Sequence, residues 1–438
     1  MPNTRSISRQ TSHVHSPVVT MSRRPFVRRR VLMVNTAITL FGLHSFTACK
    51  GILEVPVPGN VSSSALESPT LAATLVDGAQ ADFECAFSQY AQTTAAWSNE
   101  VLNSSGGAEV VSWSARFTRP EGGTGQCPLV SSNRGAFNVY LPLQIARGQG
   151  EFAIAKLSGF TDQQVTGRPL LLARANLYSG FAHMLLSEGY CQVAVNALSL
   201  LKPADGLAIA EKRFSDAITQ ATTANNAAVL NAARVARARV RIALGNKAGA
   251  SADAQLVPVN FVFNATYAAT PIRRRNTMME DMNLKLHLTV HPSYRGLTVD
   301  GVADPRVVAV NQNRVGQDAV TPMWSQGKYL APESSIPMAT WDEAQLIIAE
   351  AEGGQAAVDA INRIRSRYNL PRYAGGTTAQ ITAQIIEERR RSLWLDGHQI
   401  SDKLRFNIPF ALGTDQKGVR YNEERCIPLP LSELVGRP

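Results

Sequence analysis

Small residues spaced for close helix packing fill residues 169–256, and they constrain the fold more than any other feature of the chain. Residues 169–188 (PLLLARANLYSGFAHMLLSE) set Leu172, Ala175, Tyr178, Gly180, Ala182 and Leu186 at helical intervals. Residues 208–222 and 227–244 form a second helical pair, and residues 248–256 a further helix. Ala232, Ala236, Ala243 and Ala248 recur with Gly245 at the turn between them. A chain of this kind stacks helical hairpins whose backbones approach closely. With 438 residues, 45% of them hydrophobic and 18% charged, it has ample material for a large core. No stretch reaches the ~18 to 20 uninterrupted apolar residues of a spanning helix, which excludes a polytopic membrane protein.

The spacing suits hairpins of tetratricopeptide type and an ordinary alanine-rich bundle equally. Ser68-Pro69 reads as an N-cap followed by proline at the first helical position. Leu71, Leu75, Ala79, Phe83 and Phe87 continue a helix from there, with one break expected before Trp97. Residues 103–132 read as a long glycine-rich loop and 133–157 as a second helix. Residues 257–337 change character: Phe261-Val262-Phe263 and residues 286–291 alternate as short strands, punctuated by Gly, Pro and Asn. Helices resume at 341–352, 355–368 and 378–397, before an irregular, proline-rich tail over 405–438.

The formal charge of +10 needs dividing before it is read. Seven of the 44 basic residues, all arginines, fall within residues 1–48, where no acidic residue stands. Without them 37 basic residues face 34 acidic ones, a balance of +3, and a nucleic-acid partner loses its main support. Arg28-Arg29-Arg30 precede a short apolar run, Val31 to Leu43, ending at Phe46-Thr47-Ala48-Cys49. The run is too short to span a bilayer and suits a signal-peptide core. We read residues 1–48 as a lipoprotein-type signal peptide, Cys49 as the lipidated N-terminus and residues 49–67 as a Pro/Gly/Ser-rich tether. A single domain then runs over 68–438. Met1 and Met21 are alternative starts, and Ser22-Arg23-Arg24-Pro25-Phe26 is also compatible with twin-arginine export. Export places Cys85, Cys127, Cys191 and Cys426 in an oxidising compartment. Three pairings are open to them. Cys85–Cys127, which closes the glycine-rich loop onto the preceding helix, is favoured, leaving Cys191–Cys426.

The C-terminal hundred residues resemble the SusD/RagB family of nutrient-uptake outer-membrane lipoproteins. The resemblance is carried by residues 341–352 (WDEAQLIIAEAE), Ile361-Asn362-Arg363-Ile364-Arg365 and residues 388–398 (ERRRSLWLDGH). Asp402, Leu404-Arg405-Phe406, Pro428-Leu429-Pro430 and Glu433 complete it. The chain departs from the family pattern at Ser392 and Asp396, where glutamate is usual, and at Gln399, where arginine is usual. The resemblance implies an all-α fold of tetratricopeptide-like hairpins, SusD-like, with irregular loops and a few short strands. It implies a surface-exposed, lipid-anchored outer-membrane protein that is not an enzyme and needs no cofactor. Such a protein binds a glycan or other nutrient and delivers it to a TonB-dependent, SusC-like transporter. A periplasm-facing helical-repeat lipoprotein that scaffolds outer-membrane assembly is the alternative; a secreted glycosidase would need two carboxylates set across a cleft, and nothing singles out such a pair.

Glu387, Glu388 and Arg389–Arg391 read as an ion-paired helix surface, with Glu387 reaching Arg391 and Glu388 reaching Arg391 and Ser392. Asp396, His398 and Asp402 mimic an acid/base group, which the resemblance assigns to helix closure. His287 and His291 read as solvated strand histidines without a third ligand, so no metal site is expected. Sugar capture needs aromatic faces and polar donors on exposed loops. Trp113, Arg116, Phe117 and Arg119 supply these types within seven residues, and Tyr294 with Arg295 is a second candidate. Trp97 and Tyr90 read as core, and Trp324 and Tyr329 as structural. The leader reading predicts that Cys49→Ala abolishes labelling by a radiolabelled fatty acid and moves the chain out of the membrane fraction. Unchanged labelling would place the acyl chain elsewhere.

Overall fold

The structure is a computed structural model that describes residues 68–117, 127, 137–196 and 198–435. The expected signal peptide, Cys49 and the tether lie outside those residues, as do residues 118–126 and 128–136 of the glycine-rich loop. Ser68 accepts the Thr70 N–H at 3.3 Å, and Pro69 opens a short turn, Pro69–Leu71, that runs into α1 (Ala72–Trp97). The break expected before Trp97 does not occur, because no Gly or Pro stands between Ala79 and Trp97 to interrupt the hydrogen-bond ladder. The following segment, expected to be loop throughout, holds a short helix, α2 (Ala108–Ser114). The next helix, α3 (Tyr140–Ser158), starts seven residues later than expected, which leaves Pro142 in the first turn, where its missing N–H costs nothing.

The hairpin region follows its small-residue pattern. Helices α4 (Arg168–Gly189), α5 (Pro203–Thr223), α6 (Ala227–Ala243) and α7 (Lys247–Gln255) pack in succession, with α1 and α3 against α4. Asn226 caps α6 by accepting the Val229 N–H at 3.0 Å, and Asn246 caps α7 through the Gly249 N–H at 2.9 Å. Gly180 is required where α4 meets α5: a Cβ there would lie 2.7 Å from the Phe214 ring. The fold is mostly helical, of tetratricopeptide-like character.

The irregular insert is held by short antiparallel pairs. β2 (Val262–Ala265) pairs with β8 (Ile336–Thr340), so the insert's two ends close on each other. β1 (Val101–Asn103), from the α1–α2 connection, pairs with β3 (Leu288–Val290). β4 (Thr298–Val299) and β5 (Val302–Ala303) form a hairpin, and β6 (Ala309–Val315) pairs with β7 (Pro322–Gln326). Asp300 and Gly301 both take positive φ, 47° and 83°, as a two-residue hairpin turn demands. A short helix, α8 (Thr277–Met279), continues into a wider turn at Glu280–Leu284. After the insert come α9 (Trp341–Glu352), α10 (Gly354–Arg367), α11 (Thr378–Ser392), α12 (Gln399–Arg405) and α13 (Leu431–Leu434). Thr340 caps α9 through the Glu343 N–H at 3.0 Å, and Thr377 with Gln380 forms a capping box on α11. Disulfides join Cys85 to Cys127 and Cys191 to Cys426.

The insert is fastened to the C-terminal helices by buried ion pairs, and here the expected pairing is corrected. Glu388 does not reach Arg391 along its own helix. Its carboxylate accepts Arg306 Nη1 at 2.5 Å and Arg365 Nε at 2.8 Å, from the insert and from α10. Ser392 accepts a second bond from Arg306 Nη1 at 3.0 Å, and Asp304 takes Nε and Nη2 at 2.9 and 2.6 Å. Helix spacing let Glu388 face two partners, and the one that arrived from outside the helix won. Glu388→Ala leaves two buried guanidinium groups short of a carboxylate and is expected to cost about 3–5 kcal/mol. The urea unfolding midpoint reads this, and a loss under 1 kcal/mol would mean that the knot is peripheral to stability.

Candidate functional site

Of the loop and insert residues expected at a ligand face, Trp113, Arg116 and Tyr294 are buried. Trp113 is 1% exposed and packs on Trp97 and Phe137, at ring distances of 5.7 and 6.4 Å. The reason is α2, whose apolar side faces the core. Arg116 is 0% exposed, has a positive φ of 56°, and donates to the carbonyls of Glu424 at 3.1 Å and Asn422 at 2.7 Å, and to that of Ala411. It staples the end of α2 to the tail. Tyr294 is 3% exposed, stacked on Trp394 at 6.1 Å with Arg390 at 4.6 Å over its ring. Phe117 is 54% exposed, and Arg119 lies outside the described residues.

A different group of side chains is partly open. Trp324, on β7, is half-buried, and its backbone is pinned from β3: its N–H donates to Thr289 Oγ1 at 2.8 Å. Thr289 Oγ1 in turn donates to the Pro322 carbonyl at 3.1 Å. The Arg295 guanidinium lies 5.0 Å over the Trp324 ring and donates through Nε and Nη2 to the Val290 carbonyl at 2.9 and 2.6 Å. Its Nη1 meets no partner among the described residues. The guanidinium covers one face of the indole, which leaves the rest of the half-buried ring to meet a sugar while the guanidinium donates to its hydroxyls.

His291 adds a donor of defined tautomer. Its Nδ1 accepts the Ser293 N–H at 3.1 Å and lies 2.8 Å from Ser293 Oγ, so the ring proton sits on Nε2. Burial first, then the nearby charges of Lys403, Arg295 and Arg390, push its pKa down to about 4. His291 thus presents a neutral N–H at physiological pH. His287, expected to share its solvated side, is buried instead and lies 3.5 Å from Asp281; β3 is shorter than the six-residue strand expected.

Behind His291 the charge is unbalanced. Lys403 is 9% exposed, lies 4.9 Å from the Phe410 ring, and donates to the Pro409 carbonyl at 3.4 Å. Burial and the adjacent Arg116 lower its pKa to about 8. The nearby carboxyl of Glu100 is pushed up to about 7, chiefly by burial, against the opposing Leu395 N–H bond of 3.0 Å. Arg116 and Arg425 approach the same Phe410 ring at 5.6 and 5.8 Å.

The acid/base look-alike dissolves into three separate buried networks. Asp396 accepts from Tyr329 at 2.5 Å and Lys328 at 2.7 Å. His398 sits against Arg239 and Glu343, at 2.6 and 3.1 Å, and Asp402 pairs with Arg389 at 2.8 Å. A cavity of about 360 Å³ lies where α4, α5, α6 and α12 meet, bordered by Cys191 and Cys426. Its cations are matched internally: Arg239 by Glu188, Arg389 by Asp402, Arg405 by Glu350 and Asp402. Sequence reasoning missed Trp324 and His291; the signal that could have found them is an aromatic and a histidine in an insert whose pairing is otherwise short.

Residues 343–425 match the SusD family model. Solved structures share the fold. A SusD-like carbohydrate-binding protein from Bacteroides vulgatus superposes with a TM-score of 0.66 at 12% identity, covering 84% of this chain and 96% of its own. A SusD superfamily protein from Parabacteroides distasonis gives 0.62 at 11%, covering 86% and 98%. A further SusD superfamily protein from Bacteroides vulgatus gives 0.57 at 15%, covering 78% and 89%. No curated protein is similar in sequence.

The histidine geometry makes a prediction with a definite sign. The folded pKa of His291 lies below the ~6.5 of an unfolded histidine. The neutral ring therefore favours the fold fully above about pH 6.5, and that contribution fades as pH falls toward the folded value of about 4. Imidazole nitrogen shifts of ¹⁵N-labelled protein should show the Nε2–H tautomer persisting at pH 5.5, with the midpoint rising in Arg295→Met. A midpoint near that of free histidine would refute the assignment.

Proposed function

Because residues 343–425 match the SusD family model and the fold is shared with SusD-like structures, we propose that the chain is a SusD/RagB-type protein that binds a nutrient oligosaccharide at the cell surface and passes it to a TonB-dependent, SusC-like barrel. Membership implies carbohydrate or nutrient binding in association with outer-membrane transport in general. The finer reading is supported by one observation above all: the pinned, half-exposed Trp324 with Arg295 over its ring and the His291 donor beside it. These groups hydrogen-bond and stack, and none is placed to do bond-breaking chemistry. Among the described residues no helix is long and apolar enough to cross a membrane; in the proposed reading an acyl chain on Cys49 provides the attachment.

The alternative, a periplasmic assembly scaffold, calls for a repeat array without a long irregular insert. Here β2 and β8 close off such an insert, and it carries the open aromatic face.

Two measurements test the proposal. Trp324→Ala should weaken oligosaccharide binding by roughly 2 kcal/mol or more, about thirtyfold in Kd, with little change in melting temperature. Affinity purification from detergent-solubilised outer membranes should recover a large TonB-dependent barrel in near-equal amount. Recovery of assembly factors instead, with Trp324→Ala silent in every binding assay, would overturn it.

A further inference from the structure

We propose that the ligand at this face is an acidic oligosaccharide, its carboxylate or sulfate group gripped by Arg295, with the charges of Lys403 and Arg116 buried behind it. The inference rests on the glycan-binding reading above and narrows it to a charge class.

Across the rest of the described chain most buried or half-buried cations are met by carboxylates, although Arg147 and Arg234 donate to amide oxygens. Arg237 binds Asp253 at 2.7 Å, Arg239 binds Glu188 at 2.5 Å, Arg241 binds Glu211 at 2.7 Å and Arg306 binds Asp304 at 2.6 Å. The face breaks this habit. Arg295 has one backbone carbonyl, Lys403 another, and Arg116 three, and no ion pair among the described residues includes any of them or Arg425. Three of the four gather at one ring. Arg116, Lys403 and Arg425 share the Phe410 ring, and Lys403 and Arg295 both act on His291.

Carboxylates in the neighbourhood do not fill the role. Glu100 is pushed toward its neutral form and its Oε1 is occupied by the Leu395 N–H. Glu387 is committed to Arg390 and Arg391, at 2.7 and 2.6 Å. Asp415 Oδ1 accepts the Lys417 and Val419 N–H groups, each at 2.8 Å, and so is spent on its own turn. Glu423 and Glu424 are solvent-exposed on the tail.

Lys403 and Arg116 are therefore desolvated in the folded protein with no ion pair among the described residues, only the partly ionised Glu100 near Lys403. A ligand that brings an anion recovers charge-assisted hydrogen bonds that a neutral sugar cannot offer. Arg295 is the best placed to grip it, since its free Nη1 edge projects from a guanidinium already fixed by Val290 and Trp324. His291 Nε2–H, neutral, donates equally to a hydroxyl or an anionic oxygen. The face thus pairs an aromatic platform for the ring with cations for its substituent.

The test uses the full chain in detergent and an array of neutral, carboxylated and sulfated oligosaccharides, followed by calorimetry. The decisive probes are a galacturonic acid hexasaccharide, its fully methyl-esterified form and a sulfated galactan hexasaccharide lacking carboxylates. The acid or the sulfated probe should bind about tenfold or more tightly than the ester, and more weakly as salt rises. Which of the two binds identifies the anion. Arg295→Gln and Lys403→Met should shrink the preference to within about threefold, whereas Lys212→Met, which removes an exposed lysine paired with Asp216, should leave it intact. Equal binding of acid and ester, or array hits confined to neutral glycans and lost in Trp324→Ala, would overturn the charge class and leave the glycan reading standing. No hit anywhere on the array would sink both.

Discussion

The carboxylate of Glu388 holds the C-terminal helices and the insert in one arrangement, and the candidate face depends on it. Arg306 arrives from the insert and Arg365 from α10, and both end on this one group. Removing two guanidinium groups and two carboxylates from water is costly, so the knot contributes more to a unique geometry than to net stability. Its neighbours extend that geometry outward. Arg391 donates to the Thr298 carbonyl at 2.9 Å and Arg390 to that of Ser293 at 3.0 Å. The segment carrying His291 and Arg295 is thereby gripped from α11, while Thr289 sets Trp324 from the other side. Trp324 on a short strand, and Arg295 in the turn that follows another, gain the rigidity that a binding platform requires.

The run Arg389-Arg390-Arg391 shows how one helix serves three destinations. Successive residues on a helix point about 100° apart, so three arginines in a row cannot share a face. Arg389 turns inward to Asp402 on α12, Arg390 reaches the Tyr294 ring, and Arg391 reaches Asp304. Ser392 and Asp396, where the family usually has glutamate, fit this arrangement. Ser392 supplies an uncharged acceptor to Arg306, which already has two carboxylate partners, and Asp396 takes Tyr329 and Lys328.

The helices were legible because their determinants are local. The alanine and glycine spacing of residues 169–256 and the cap at Ser68 act within a few residues of where they are read. The binding face was not legible for the opposite reason. β1 pairs with β3 across almost the whole hairpin array, and Trp324 is placed by Thr289, thirty-five residues away. No periodicity records such pairings. Trp113 misled because α2 interrupts a segment rich in glycine and serine and turns its indole inward. Arg116 misled because a buried guanidinium satisfied by backbone carbonyls leaves no trace of a partner in the sequence.

Net charge conceals the same feature. Outside residues 1–48 the chain is nearly balanced, 37 basic residues against 34 acidic, and a composition argument finds no basic surface there. The balance is global while the pairing is local. Glu188, Asp253, Asp304, Glu388 and Asp402 are all consumed in buried pairs between helices or between helix and insert. Arg116, Arg295, Lys403 and Arg425 fall outside those pairs, and three of them gather at the Phe410 ring. An electropositive site can thus sit in a chain of small net charge, because the potential a ligand meets is set by which charges remain unmatched within about a Debye length, roughly 8–10 Å at physiological salt.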